Sequence, residues 1–268
     1  MTPSPQPSPT PQPVHVFLIV LENRSYSQAI TTPYIAYLAS KYGLATDYHG
    51  ISHPSLPNYL AMTSGSTWGI ADDGWHPLPA GGLGAQLDAA NMSWRAYMEG
   101  MGSDCYRNGS GYALKHNPFA YFGGQCPSQV VPFGQFATDM AGTVPQFVWI
   151  TPNLCHDGHD CSNASVSDWL SQTVPTIINS DPWQQGGVLF ITYDEGEDAA
   201  NSVLTLVIRN RQANQRSSVP YDHYSLLASI EDLLGLPRLG AAAQASPMSD
   251  LLATTPVRTP PRNLPSTS

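Results

Sequence analysis

The sequence predicts a three-layer α/β/α sandwich with a mostly parallel central sheet, and three observations predict it. First, residues 14–21, 145–152, 187–193 and 203–208 are short runs that are nearly all apolar and rich in β-branched side chains. Such runs are strands buried on both faces, as parallel strands are. Second, helix-compatible stretches separate them, and alternation of strand and helix argues for parallel strands joined by crossovers. Third, three of the strand connections are acidic or rich in His, and a fourth carries a serine turn. Parallel strands bring such ends to one edge, where α/β folds place their sites.

In chain order, residues 14–21 form the first buried strand and residues 32–42 a helix with Pro33 near its start and Gly43 as its stop. Residues 46–51 are strand-like, 59–64 helical, 83–90 helical and 93–99 a strand. Residues 100–124 form a long irregular insertion with two cysteines, and residues 130–140 read as a connecting helix. A strand follows at 145–152, a helix at 165–178, then strands at 187–193 and 203–208. Residues 209–218 are a polar connector, and 221–236 an amphipathic helix. Proline at every odd position from Pro3 to Pro13 marks residues 1–13 as a polyproline spacer. A single domain is expected over 14–240, with 241–268 as a flexible trailing segment.

Composition narrows the function classes. A hydrophobic share of 41% supports a sizeable core over 268 residues. The net charge of −9 excludes broad nucleic-acid binding, which needs a basic surface. It permits an anionic substrate, because a metal or a few cations reverse the potential locally. No run reaches the roughly 18 apolar residues of a membrane span. Charged residues are only 12%, and the four cysteines sit among tyrosines with few lysines, which favours disulfides and an oxidising compartment. Three pairings are allowed. Cys105–Cys126 and Cys155–Cys161 are preferred because each closes a local loop; zinc is the alternative, without a CxxC pair. A secreted, periplasmic or cell-surface protein is expected, its signal peptide already removed, and a monomer.

The chemistry-bearing residues fall at the strand ends. Ser55 lies in Ser52-His53-Pro54-Ser55-Leu56-Pro57-Asn58-Tyr59, at the start of a helix. Unpaired N–H groups and the helix dipole attract phosphate there, so Ser55 is either a nucleophile facing a phosphoryl group or a simple N-cap. Glu22 and Asn23 follow the first strand; they are metal-binding oxygen donors or turn residues. Asp194 and Glu195 follow the strand at 187–193, and adjacent acids are costly unless a cation sits beside them. Such oxygen donors suit one divalent ion, Ca²⁺, Mg²⁺ or Mn²⁺ rather than Zn²⁺, which would stabilise a Ser55 alkoxide. Asn58 is a candidate amide donor to a phosphoryl oxygen. Lys115 and His116 are candidate phosphate ligands or a surface lysine and a packed histidine. His156 and His159, inside the expected Cys155–Cys161 loop, are candidates for phosphate binding and leaving-group protonation. His223 opens a helix, as a phosphate contact or a cap. Together these imply displacement at phosphorus through a phosphoseryl enzyme.

These stretches resemble a known family. Leu21-Glu22-Asn23-Arg24-Ser25-Tyr26, the turn around Ser55, Tyr112-Ala113-Leu114-Lys115-His116-Asn117-Pro118, Thr151-Pro152-Asn153 with 156–161, Thr192-Tyr193-Asp194-Glu195-Gly196 and His223-Tyr224-Ser225-Leu226-Leu227 occur in that family's order. The chain is similar to the bacterial phosphoesterases that include acid phosphatases and phosphatidylcholine-type phospholipases C, within the alkaline phosphatase superfamily. The resemblance implies an alkaline-phosphatase-like fold and a metal on Glu22, Asn23, Asp194 and Glu195. The superfamily's Ser/Thr-x-Pro-Asn turn matches Ser55-Leu56-Pro57-Asn58 and selects Ser55 as nucleophile. One metal is expected rather than the two zincs of alkaline phosphatases. The chain lacks the large extra regions of the phospholipases, so a phosphomonoesterase acting on a phosphate ester, with lipid headgroups such as phosphoinositides among the candidates, is expected. The alternatives are a phospholipase C of the same fold and a non-catalytic phosphate-ligand-binding protein.

Overall fold

The structure is a computed structural model that describes residues 14–210 and 214–253. Its strands are β1 (Val16–Leu21), β2 (Gly43–Ala45), β3 (Tyr48–His49), β4 (Trp94–Met98), β5 (Val130–Pro132), β6 (Phe147–Thr151), β7 (Val188–Tyr193), β8 (Thr205–Arg209), β9 (Gln215–Ser217) and β10 (Tyr221–Asp222). Its helices are α1 (Tyr26–Ala29), α2 (Pro33–Lys41), α3 (Ser55–Ser64), α4 (Gly82–Ala89), α5 (Phe136–Ala141), α6 (Asn163–Ile178), α7 (Asp181–Gln184), α8 (His223–Leu234) and α9 (Ser249–Leu252). Among the described residues, eight strands form one sheet in the order β5-β4-β6-β1-β7-β8-β2-β9. All its pairings are parallel except those of β8, which runs antiparallel to both β7 and β2. The expected mostly parallel α/β sheet is therefore present.

The centre of the sheet explains why the apolar runs were readable. Every residue of β1 and β7 is buried, as is every residue of β6. Each fully buried Val, Leu, Ile or Phe contributes about 1.5–3 kcal/mol relative to exposure, so an unbroken apolar run is stable only where both faces are covered. Two helix groups provide the cover: α2 packs with α6, and α3 packs with α4 and α8. Strands β6, β1 and β7 are neighbours, with Leu21 opposite Tyr193. The first residues past their C-terminal ends therefore emerge side by side.

Helix α3 is buried along its whole length. It ends at Gly65, whose φ of +67° and whose approach to Leu239 leave no room for a side chain: a Cβ there would stand 2.2 Å from the Leu239 carbonyl oxygen. Gly65 in turn accepts a hydrogen bond from Ala241 N–H at 2.8 Å. This contact corrects the expectation that the chain trails off after 240. Residues 241–253 are docked, with Ala242, Met248 and Leu251 fully buried and the Asp250 carboxylate accepting from the Tyr221 hydroxyl at 2.6 Å. Residues 254–268 and the proline-rich 1–13 lie outside the described residues. Other corrections concern short elements. Residues 130–140 are not one helix; they hold β5, a 3-10 turn at Phe133–Gln135 and the start of α5. The connector at 209–218 contains β9, and residues 46–51 join β10 in a separate two-stranded sheet rather than the main one.

Helix α8 carries a buried acid that makes stability depend on pH. Glu231 is fully buried; its Oε1 accepts from Leu239 N–H at 2.9 Å, and its Oε2 has no hydrogen-bond partner. Burial pushes its carboxyl up to about 8 from an ordinary 4.5. The folded state thus holds a proton that the unfolded chain releases, so this contribution is full below 4.5 and lost as pH rises through 8. Glu231→Gln should melt above the parent at pH 9, by a margin that shrinks toward pH 5. Thermal melts at several pH values check this, and a margin independent of pH would contradict it.

Candidate active site

Three strand ends and one helix start converge. Past β1, Glu22 is fully buried; past β7, Asp194 is fully buried; past β6, so is Asp157. The backbone ties them together. Glu22 N–H donates to the Asp157 carbonyl at 2.9 Å, Asp194 N–H to the Leu21 carbonyl at 2.9 Å, and Asn23 N–H to Asp194 Oδ1 at 3.1 Å. Asn23 adopts φ +47°, a left-handed turn that asparagine tolerates better than most residues.

Ser55 is the first residue of α3. Its hydroxyl donates to Glu22 Oε2 at 3.1 Å and stands 3.5 Å from Glu195 Oε1. Glu22 also accepts from the Tyr59 hydroxyl, one helical turn on, and lies 3.2 Å from His116 Nε2. Burial alone would raise the Glu22 carboxyl; His116, Tyr59 and Lys115 outweigh it and hold Glu22 below its ordinary range. The opposite holds nearby. Burial, then the charges of Glu22 and Glu195, push Asp194 well up. Burial and Glu22 push Asp157 up to about 9. Burial also raises Glu195, against the pull of His53, whose Nδ1 lies 2.5 Å from Glu195 Oε2.

This crowding bears on a metal. Glu22, Asn23, Asp194 and Glu195 offer only oxygen donors, and Asn23 Oδ1 and Asp194 Oδ2 are buried without a hydrogen-bond partner. A hard divalent ion would satisfy those atoms and relieve the mutual repulsion. Among the described residues, no three His, Cys, Asp or Glu side chains already form a closed metal cage. The residues present fit such an ion in donor chemistry, and binding would have to draw them together.

The other expected site residues divide. His116 is buried and stacked on Tyr59, ring centroids 5.2 Å apart, with Nδ1 3.6 Å from Asp157 Oδ2. Its two ring nitrogens thus lie near two different buried carboxylates, Glu22 and Asp157. Lys115 Nζ donates to Asp73 Oδ2 at 2.8 Å; burial works against the ammonium, but the Asp73 hydrogen bond and the charges of Glu22, Asp73 and Asp194 outweigh it and hold the lysine above its ordinary range. His159 sits at the rim, its ring 6.1 Å from that of His116 with Nδ1 2.7 Å from Asp160 Oδ1, and its backbone N–H donates to Asp157 Oδ1 at 2.8 Å. His156 is held elsewhere, with Nδ1 on the Glu99 carboxylate at 2.9 Å and its ring over Trp169. Both expected disulfides, Cys105–Cys126 and Cys155–Cys161, are formed.

Two expected substrate contacts are corrected. The Asn58 amide has no free donor for a phosphoryl oxygen. Its Oδ1 accepts from Ile51 and Ser52 N–H at 2.8 and 3.0 Å, and its Nδ2 donates to the Ser52 and Pro54 carbonyls at 2.8 and 3.2 Å. Asn58 therefore clamps the turn, with its cis His53–Pro54 bond, that presents Ser55. His223 is also fully occupied. Nδ1 accepts from the Tyr48 hydroxyl at 3.0 Å and Nε2 donates to the Asp194 carbonyl at 2.5 Å. Burial lowers this imidazole to about 4, so it is neutral and braces the backbone of Asp194. His53, Tyr59 and Asp73 also belong to the cluster. His53 and Tyr59 lie within the serine motif and were legible as neighbours of Ser55. Asp73, in a polar loop, carried no signal.

Comparison with known proteins identifies the fold and the family. Solved structures share the fold at low identity. A phosphonate monoester hydrolase of Agrobacterium radiobacter aligns at TM-score 0.63 and 12% identity over 90% of this chain and 77% of that one. A Vibrio parahaemolyticus protein described as in the alkaline phosphatase superfamily aligns at TM-score 0.61 and 12% identity over 85% and 68%. The Phosphoesterase family model matches residues 25–237, and the chain belongs to that family. A probable acid phosphatase of Kluyveromyces lactis is 30% identical over 84% of this chain and 59% of its own length. The phosphatidylinositol-3-phosphatase of Mycobacterium tuberculosis is 29% identical over 88% of this chain and 82% of its own. The chain spans about three fifths of the length of the fungal relatives it matches, 59% and 55% for the first two.

Proposed function

We propose that the chain is a divalent-metal-dependent phosphomonoesterase that works through a phosphoserine at Ser55. The observation that carries this is the Ser55 hydroxyl, at the N-terminus of a buried helix and 3.1 Å from the ionised Glu22. Glu22 accepts the hydroxyl proton as the Ser55 oxygen–phosphorus bond forms and the ester oxygen departs. The leaving oxygen takes a proton from a rim imidazole, His159 or His53, both partly exposed and so reloaded from solvent. Lys115 and the Leu56 N–H at the helix start hold the phosphoryl oxygens. Water then attacks the phosphoserine, releasing inorganic phosphate and restoring Ser55. A divalent ion, when bound, would be held by Glu22, Asn23, Asp194 and Glu195 and would supply positive charge for the developing oxyanions.

The names of the relatives support this class of reaction, and the mycobacterial one supports a phosphate on a lipid headgroup as substrate. Export is part of the proposal and is supported by the two disulfides. Among the described residues no helix is long and apolar enough to cross a membrane. The test compares inorganic phosphate released from an aryl phosphate with phosphocholine released from phosphatidylcholine, before and after chelation. Inorganic phosphate is expected, lost on chelation and restored by Ca²⁺, Mg²⁺ or Mn²⁺. Phosphocholine would make the chain a phospholipase C, and no release from either would make it a binding protein.

A further inference from the structure

In this conformation the nucleophile is shut away. Ser55 is 1% exposed, and Glu22 and Asp194 are fully buried. The donors beside Ser55 are already in use. Asp73 Oδ1 accepts from Leu56 N–H at 3.0 Å, and Asp73 Oδ2 accepts from Lys115 Nζ at 2.8 Å. One carboxylate thus bridges a helix-start N–H and an ammonium, the same pair of donors that grips a phosphoryl oxygen. Buried groups of the same site still lack partners. His116 Nε2 is out of hydrogen-bond alignment although it lies 3.2 Å from Glu22 Oε2, and Asp194 Oδ2 has no donor.

Asp73 belongs to the segment 66–80, which leaves α3 at Gly65 and returns to α4. The segment rests on the insertion at 100–124 and on α3: Ile70 and Leu78 pack against Leu56, Leu60, Tyr121 and Phe122, the Trp68 ring lies 6.2 Å from that of Phe122, and the Tyr121 hydroxyl donates to the Gly74 carbonyl at 3.4 Å. The Trp75 ring lies 5.0 Å from that of Tyr106 and 4.9 Å from that of Tyr121. Leu78 N–H donates to the Tyr121 carbonyl at 2.7 Å, and Gly123 N–H to the Leu78 carbonyl at 3.0 Å. Trp75 remains 45% exposed. Asp72, next to Asp73, turns away to His76 at 2.6 Å and Gly74 N–H at 2.7 Å. The two adjacent acids therefore have different tasks, and only Asp73 reaches the site.

We propose that Asp73 is an internal stand-in for the substrate's phosphoryl group: it occupies the phosphate position in the resting protein and must be displaced, with its loop, for substrate to reach Ser55. The identity of the displacing anion rests on the phosphatase function proposed above. A phosphate dianion carries more charge and more acceptor oxygens than a carboxylate, so exchange leaves both donors satisfied. The device holds the site closed at low phosphoester concentration and covers two donors that would otherwise stand unpaired.

The test measures binding rather than turnover. Calorimetric titration of the full chain with inorganic phosphate compares the parent with Asp73→Asn and Asp72→Asn. Asp73→Asn should tighten phosphate binding at least tenfold, and Asp72→Asn should leave it within twofold. Equal or weaker binding by Asp73→Asn overturns the proposal. So does equal tightening by Asp72→Asn, which would reduce the effect to general charge. Hydrogen exchange on the unaltered protein covers the case in which Asp73→Asn folds poorly. Saturating phosphate should speed exchange in residues 66–80 while protecting the start of α3, and unchanged exchange in 66–80 overturns the proposal. A chain that hydrolyses an aryl phosphate but binds phosphate equally with and without Asp73 keeps the phosphatase function and loses this device. Tightened binding without turnover does the reverse.

Discussion

Ser55→Ala should lower turnover of an aryl phosphate by about three to six orders of magnitude, the range seen when a nucleophile is removed and only binding and electrostatics remain. The fold should survive. The substitution removes a single hydrogen bond to Glu22, which keeps Tyr59 and His116, so the cost in stability is on the order of 1 kcal/mol. The buried α3 retains its packing, since alanine is the best helix former. Steady-state kinetics beside a thermal melt separate the two effects. A second readout is acid-quenched enzyme after incubation with radiolabelled substrate: the parent should carry label on Ser55 and the variant none. Activity within tenfold of the parent, with the melt unchanged, would remove Ser55 as the nucleophile.

Asp194→Asn should have the second largest effect, and on two quantities in opposite directions. Turnover should fall by about two to three orders of magnitude, as for loss of one electrostatic stabiliser. The ion-free variant should nevertheless melt above the ion-free parent. Burial and the charges of Glu22 and Glu195 raise the Asp194 carboxyl in the folded state, so its contribution to stability is full only below its unfolded value and is lost as pH rises through the folded one. Asparagine escapes that penalty. Adding Ca²⁺, Mg²⁺ or Mn²⁺ to the chelated parent should raise its melting temperature, since an ion bound only by the folded state stabilises it by about 2.7 kcal/mol at a hundredfold excess over its Kd. The variant should respond weakly. Scanning calorimetry with and without chelator checks both arms. A parent whose melt ignores divalent ions would show that the acids at the strand ends hold none.

The chain's large features were legible because they rest on local chemistry. The runs at β1, β6 and β7 are apolar without interruption, and only a sheet covered on both sides accepts that. Their polar endings could be placed on one edge because parallel strands point one way. The short strands β2, β5 and β9 were not legible; at three residues each they show no periodicity. Within the site, Glu22 and Asn23 after β1, Asp194 and Glu195 after β7, and Ser55 lie near one another because β1 and β7 are parallel neighbours. Asn58 and His223 were misread because their partners are the backbone of 51–54 and the Asp194 carbonyl, groups that no sequence displays. Asp73 was missed because its meaning depends on where a loop lands.

The cluster is scattered along the chain and compact in space: Asn23 and Asp194 are in contact across 171 residues of sequence. No fragment made early in synthesis contains both. The middle of the sheet must zip, with β7 inserted beside β1, before the acids meet. Such distant pairings close late in folding because loop-closure entropy opposes them. Affinity for a hard cation should therefore arise in the last stage of folding, and the emerging chain should have little hold on divalent ions until its core is complete.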